Sequence, residues 1–129
     1  PKPPALPPTG AGRPFSEAAD GTLMGDGAAL FAIRRLDDAE RDGNVIHAVI
    51  RGSGAASDGR ATSVYAPRSS GQARAIRRAL EKAGAEPQSI GLVEAHGTGT
   101  RAGDLAEVGG LKEAFASSST QAWCALGSV

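Results

Sequence analysis

The sequence predicts an α/β fold. Short apolar runs bounded by glycine alternate with stretches whose apolar residues recur at helical spacing, and clusters of Gly, Ser and Pro separate the two. At 129 residues the chain has the length of one domain, long enough to bury a core of its own, and it shows no internal repeat of solenoid period.

Residues 1–13 hold five of the eight prolines plus Gly10 and Gly12, so they lack the donors for a regular ladder and are expected to form a connection. Residues 28–33, Ala-Ala-Leu-Phe-Ala-Ile, read as a strand buried on both faces and ended by Arg34 and Arg35. Asp37 is placed to cap a short helix over 38–42, with Gly43 just past its end. Residues 45–50 read as the next strand, with His47 as an ordinary strand residue. From Ser53 to Pro67 the chain is rich in Gly, Ser, Ala and Asp without period, as in an ordered surface loop.

Ala73, Ile76, Leu80 and Ala83 mark the inward face of a helix between Ser70 and Gly84. Arg74, Arg77, Arg78 and Lys82 take the other face and read as solvated. After Pro87, residues 90–95 form a third strand that runs into a glycine-rich loop. Asp104 reads as the cap of a second amphipathic helix with Leu105, Val108, Leu111 and Phe115 inward. A polar turn at 117–120 leads to a last strand over 122–129. Phe31, Trp123 and Cys124, set among strand-like apolar residues, are expected in the core.

Composition removes several function classes. Lys plus Arg equal Asp plus Glu, and no basic stripe interleaved with aromatics could follow a phosphate backbone, so no nucleic acid is expected. The longest apolar runs fall far short of the roughly 18–20 residues that cross a bilayer, so no membrane is expected either. The single cysteine excludes an internal disulfide and a cysteine-based zinc site; no metal is expected, and a free thiol fits a reducing compartment such as the cytoplasm. The chain opens on Pro-Lys-Pro-Pro without Met and stops at Val129 within an apolar run, which reads as an internal segment of a longer protein.

Chemistry is expected in the loop His96-Gly97-Thr98-Gly99-Thr100. It follows a strand, and ligands of open α/β sheets collect at strand carboxyl ends. An imidazole there can act as acid, base or hydrogen-bond donor. Gly97 and Gly99 allow close approach, while Thr98 and Thr100 offer hydroxyls. From the residues alone a histidine in a tight turn is an equally good reading.

The run Glu94-Ala95-His96-Gly97-Thr98-Gly99-Thr100, followed by Gly103-Asp104 and Glu107, resembles the histidine motif of β-ketoacyl synthases. Arg13-Pro14-Phe15 with Asp20-Gly21, Gly25-Asp26-Gly27-Ala28, Val49-Ile50-Arg51-Gly52 leading to Ser57-Asp58-Gly59, and Leu126-Gly127-Ser128-Val129 agree in order and spacing. The resemblance covers the chain from about Pro7 onward. Through Tyr65-Ala66-Pro67-Arg68 it looks closest to polyunsaturated-fatty-acid and iterative polyketide synthases.

That resemblance implies part of a thiolase-like layered α-β-α-β-α fold with mixed sheets. Residues 1–24 would be a Pro/Gly-rich loop region, and 25–129 the central segment joining the end of the N-terminal half to the start of the C-terminal half. It implies decarboxylative Claisen condensation of an acyl thioester with malonyl-acyl carrier protein, in fatty acid or polyketide synthesis. His96 would assist loss of the malonyl carboxylate and stabilise the enolate. Thr98 and Thr100 would contact the phosphopantetheine arm. Glu107 would support the site by helping to hold the catalytic lysine, with Gly97 and Gly99 shaping the loop. The nucleophilic cysteine would lie before Pro1, and the lysine and second histidine beyond Val129, so the segment alone would be inactive. No bound cofactor is implied; the partners are an acyl carrier protein and a second copy in a homodimer. Thr22 stands where many fatty-acid synthases of this type carry phenylalanine, so chain-length preference does not carry over. Two other readings stand beside this one: a non-catalytic, chain-length-factor partner, against which the intact His96 motif argues, and a thiolase acting on coenzyme A thioesters.

Overall fold

The computed structural model describes residues 6–59, 66–116 and 122–128. In chain order these hold helix α1 (Leu36–Arg41), helix α2 (Ser69–Ala83), a 3-10 turn (Pro87–Ser89), strand β1 (Leu92–Glu94), helix α3 (Arg101–Ala114) and strand β2 (Ala125–Gly127). The start of the proline-rich stretch at 1–5, Tyr65, the polar turn at 117–120 and Val129 lie outside the described residues.

β1 and β2 pair in parallel with Leu92 opposite Ala125 and Glu94 opposite Gly127. Two further bonds, Ala125 N to Gly91 O (2.9 Å) and Ala95 N to Gly127 O (2.8 Å), lengthen the ladder at each end. A parallel pair needs a crossover, and α3 supplies it, so the architecture is α/β as expected. Both strands are shorter than the runs 90–95 and 122–129.

α2 and α3 lie against each other through small residues. Ala73 is fully buried, and Gly110 and Ala114 of α3 are buried with it. Arg77 spans the outer edge of this contact, donating to the Glu113 carboxylate at 3.0 Å and to its carbonyl at 2.7 Å. The second flank of α3 faces the sheet. Val108, Leu111 and Phe115 line a cavity of about 530 Å³ together with Val93, Trp123 and Leu126. Leu105 departs from the expected inward stripe and is 75% exposed, because the buried side of the first turn is occupied by Asp104.

The arginine face of α2 is more than a solvated surface. Arg78 donates to Ala55 O (2.6 Å), Arg74 to Ser57 O (2.9 Å) and Arg68 to Asp58 O (3.1 Å), while Arg51 reaches back to Ala83 O (3.1 Å). Guanidinium groups thereby satisfy carbonyls that a segment without sheet pairing would leave open.

The strands expected at 28–33 and 45–50 are not formed. Neither segment makes a backbone hydrogen bond to another described residue, and their apolar side chains stand exposed, Phe31 at 83%. A strand exists only as one side of a ladder, so a sequence with the right apolar content stays irregular where no neighbouring strand is present. Phe31 is therefore not core in this chain. His47 is exposed within the same irregular stretch, Trp123 sits at the surface with Nε1 donating to Pro87 O (3.4 Å), and Cys124 is only partly buried. The short helix starts earlier than expected, at Leu36. Its N-terminus follows Arg35 without a side-chain cap, so Asp37 lies in the first turn beside Asp38, where negative charge favours the helix N-terminus.

Candidate functional site

β1 ends at Glu94, and the chain turns through His96 to Thr100 before entering α3. Thr100 has extended backbone (φ −98°, ψ 136°), and its Oγ1 accepts from Gly103 N at 3.1 Å, which makes it the N-cap of α3. Asp104 does not cap the helix, contrary to the sequence reading. It stands too deep in the first turn, and its carboxylate turns back over the helix start to the loop.

Asp104 as a whole is 6% exposed. Its Oδ1 accepts from Gly99 N at 3.0 Å, and its Oδ2 from Phe15 N at 2.7 Å. Bonds from backbone N–H to a charged acceptor contribute about 1.5–3 kcal/mol each, enough to hold an otherwise unfavourable backbone. Phe15 is such a case, with φ at +60°, a left-handed conformation that costs a non-glycine residue about 1–2 kcal/mol.

One helical turn further on, Glu107 accepts from His96 N at 2.8 Å and Gly97 N at 2.9 Å. Carboxylates at i and i+3 lie on one helix face, and here both point at the same loop. Carbonyls on the loop are answered from elsewhere: Thr22 Oγ1 donates to Thr98 O at 2.7 Å, Gly21 N to Gly99 O at 2.9 Å and Ser128 Oγ to His96 O at 3.4 Å. Gly99 has φ of +68°, and a Cβ built on it would lie 2.7 Å from Gly21 O, so no other residue fits between the two segments.

Within this cage the His96 side chain is exposed and bonds to no other described residue, so the ring is available to a ligand while its backbone is fixed. The two threonine hydroxyls sit 2.9 Å apart, and Thr98 Oγ1 also lies 3.4 Å from Thr100 N. Two hydroxyls hold two protons. One is spent between them, so the pair retains one O–H to give to a ligand whichever oxygen is the donor.

The structure brings together every residue singled out by sequence: His96, Gly97, Thr98, Gly99, Thr100 and Glu107. The backbone amides that Glu107 holds were not expected from sequence, nor were the contributions of Phe15, Gly21, Thr22 and Ser128. Their signal was present as the Arg13-Pro14-Phe15, Asp20-Gly21 and Leu126-Gly127-Ser128-Val129 stretches and as the departure at Thr22, but only the fold shows that these meet the loop. Among the described residues no cluster of His, Cys, Asp and Glu could hold a metal ion, and no helix is long and apolar enough to cross a membrane.

Residues 47–129 match the family described as Beta-ketoacyl synthase, C-terminal domain. The chain is 46% identical over 124 residues to a mycocerosic acid synthase-like polyketide synthase of Mycolicibacterium smegmatis, covering 96% of this chain and 6% of that protein. It is 47% identical over 103 residues to a polyunsaturated fatty acid synthase of Thraustochytrium sp., covering 80% of this chain and 4% of that protein. The solved ketosynthase from module 6 of the bacillaene synthase of Bacillus subtilis 168 superposes with a TM-score of 0.91 at 37% identity, over 97% of this chain and 23% of that one.

Proposed function

The chain belongs to the β-ketoacyl synthase family, of the kind found in polyketide and polyunsaturated-fatty-acid synthases, and from that premise we propose that it supplies the malonyl-activating histidine of a condensing enzyme. The observation that carries the reading is the presentation of His96: its peptide is anchored through Glu107, and its imidazole is left open at the carboxyl end of β1.

A malonyl thioester placed there loses carbon dioxide as its C–C bond breaks, leaving an enolate whose negative charge gathers on the thioester oxygen. An imidazole N–H donating to that oxygen stabilises the charge as it develops. The enolate carbon then attacks the carbonyl of an acyl group held as a thioester on a cysteine, forming the new C–C bond and releasing the thiolate. The cysteine, the lysine and the second histidine are supplied from outside this chain. The free hydroxyl proton of the Thr98–Thr100 pair suits an amide carbonyl of the phosphopantetheine arm that brings the malonyl group from an acyl carrier protein. In the complete domain, a homodimer of thiolase-like layered folds, residues 28–33 and 45–50 would find the neighbouring strands they lack here.

The test is His96→Ala in the complete ketosynthase domain, with release of carbon dioxide from malonyl carrier protein followed separately from self-acylation of the nucleophile. Loss of decarboxylation by roughly 10²- to 10⁴-fold with acylation intact is expected. A domain that shows neither half-reaction before mutation would instead be a non-catalytic partner.

A further inference from the structure

We propose that Thr22 and Asp104 are positioning residues for the half of the loop that receives the carrier arm, acting independently of the half that carries the imidazole. This rests on the reading of the site given above.

The loop is held in two parts. Glu107 takes the amides of His96 and Gly97. The peptide group between Thr98 and Gly99 is gripped at both ends by other residues: Thr22 Oγ1 donates to its carbonyl, and its N–H donates to Asp104 Oδ1. Asp104 also holds Phe15 N, and Gly21 N holds the Gly99 carbonyl, so residues 15–22, the loop and the start of α3 close into a ring.

A peptide group is planar, so fixing its C=O and its N–H fixes the plane. That plane contains the Thr98 Cα and anchors the carbonyl side of the backbone from which the Thr98 side chain leaves the loop, while Thr100 is fixed independently as the helix cap. The 2.9 Å contact between the two hydroxyls therefore depends on the grip of Thr22 and Asp104. Releasing the grip should loosen the arm and leave His96 in place. The hydroxyl of Thr22 is thus assigned to carrier-arm binding by way of the loop backbone.

Valine is close to isosteric with threonine and removes only the donor, whereas serine keeps it. In the complete ketosynthase domain, Thr22→Val is expected to raise the KM for malonyl carrier protein in decarboxylation by about 5- to 30-fold, the effect of leaving one carbonyl unanswered. The kcat should stay within about twofold. Amide exchange at residues 98–100 should quicken while that of His96 and Gly97, held by Glu107, stays unchanged, and Thr22→Ser should restore both KM and exchange. Asp104→Asn, which turns an N–H₂ toward one of two donors, should move KM and exchange the same way. Glu107→Gln should show the opposite split, with kcat falling and KM held. Thr22→Val with unchanged KM and exchange, an effect on kcat alone, or failure of serine to restore would each overturn the assignment. Should the unmutated domain not decarboxylate at all, the catalytic reading fails by itself. Affinity for malonyl carrier protein and exchange at 98–100 then decide the role of Thr22: both unchanged in Thr22→Val overturns it, and a loss of affinity with faster exchange upholds it.

Discussion

The loop at 96–100 and the segment at 28–33 are nearly equal in length, and both depend on residues remote in sequence. In the loop, α3 carboxylates take the amides of His96, Gly97 and Gly99, while Ser128, Thr22 and Gly21 answer the carbonyls of His96, Thr98 and Gly99. In the segment no backbone group reaches another described residue, and Leu30, Phe31 and Ile33 stand in the open. The loop thus carries its own supports within this chain, whereas the segment has the composition of buried sheet and no sheet to enter. Conformational order follows from satisfied backbone groups and not from apolar content alone.

The contrast breaks most sharply at Phe31. Phe31→Ala should cost about 3–5 kcal/mol in the complete domain, where the strand would be buried, and almost nothing in the isolated chain; denaturant melts of both measure it. Glu107→Ala strikes the other side, removing the acceptor for two amides at once, and decarboxylation should fall about 100-fold in steady-state assays. Gly99→Ala meets both the positive φ and the Gly21 carbonyl and should lower stability by about 2 kcal/mol, read from the midpoint of urea unfolding. Smallest is Arg78→Ala. It frees the Ala55 carbonyl at an exposed site, so amide exchange over 53–58 should quicken by a factor equivalent to about 1 kcal/mol while the loop at 96–100 stays protected.

How much was legible in advance follows from the same contrast. α2 is set by Ala73, Ile76, Leu80 and Ala83 at helical spacing and by Gly84, whose left-handed backbone (φ 56°) ends it; both signals are local, and the helix ends where expected and starts two residues earlier, at Ser69. His96 and its glycines were readable as a candidate because a glycine-rich turn after a strand is also a local pattern. Strand formation at 28–33 and 45–50 was not, since pairing depends on what lies alongside. Asp104 misled for a narrower reason. An aspartate near a helix start satisfies the capping rule in sequence, but Thr100 already fills that position, and only the crossing of residues 15–22 shows why a buried carboxylate is needed one turn on.

The parallel pairing of β1 with β2 has one more effect. Both strands point their carboxyl ends the same way, so the chain leaving β2 arrives beside the turn leaving β1, and Ser128 meets His96 there. The pairing works as a junction that delivers two separate stretches of polypeptide to one spot. Inserting a single residue in β2 would shift that delivery by about 3.3 Å and turn its side chains to the opposite face, disarming the site while leaving every residue of the histidine motif unchanged.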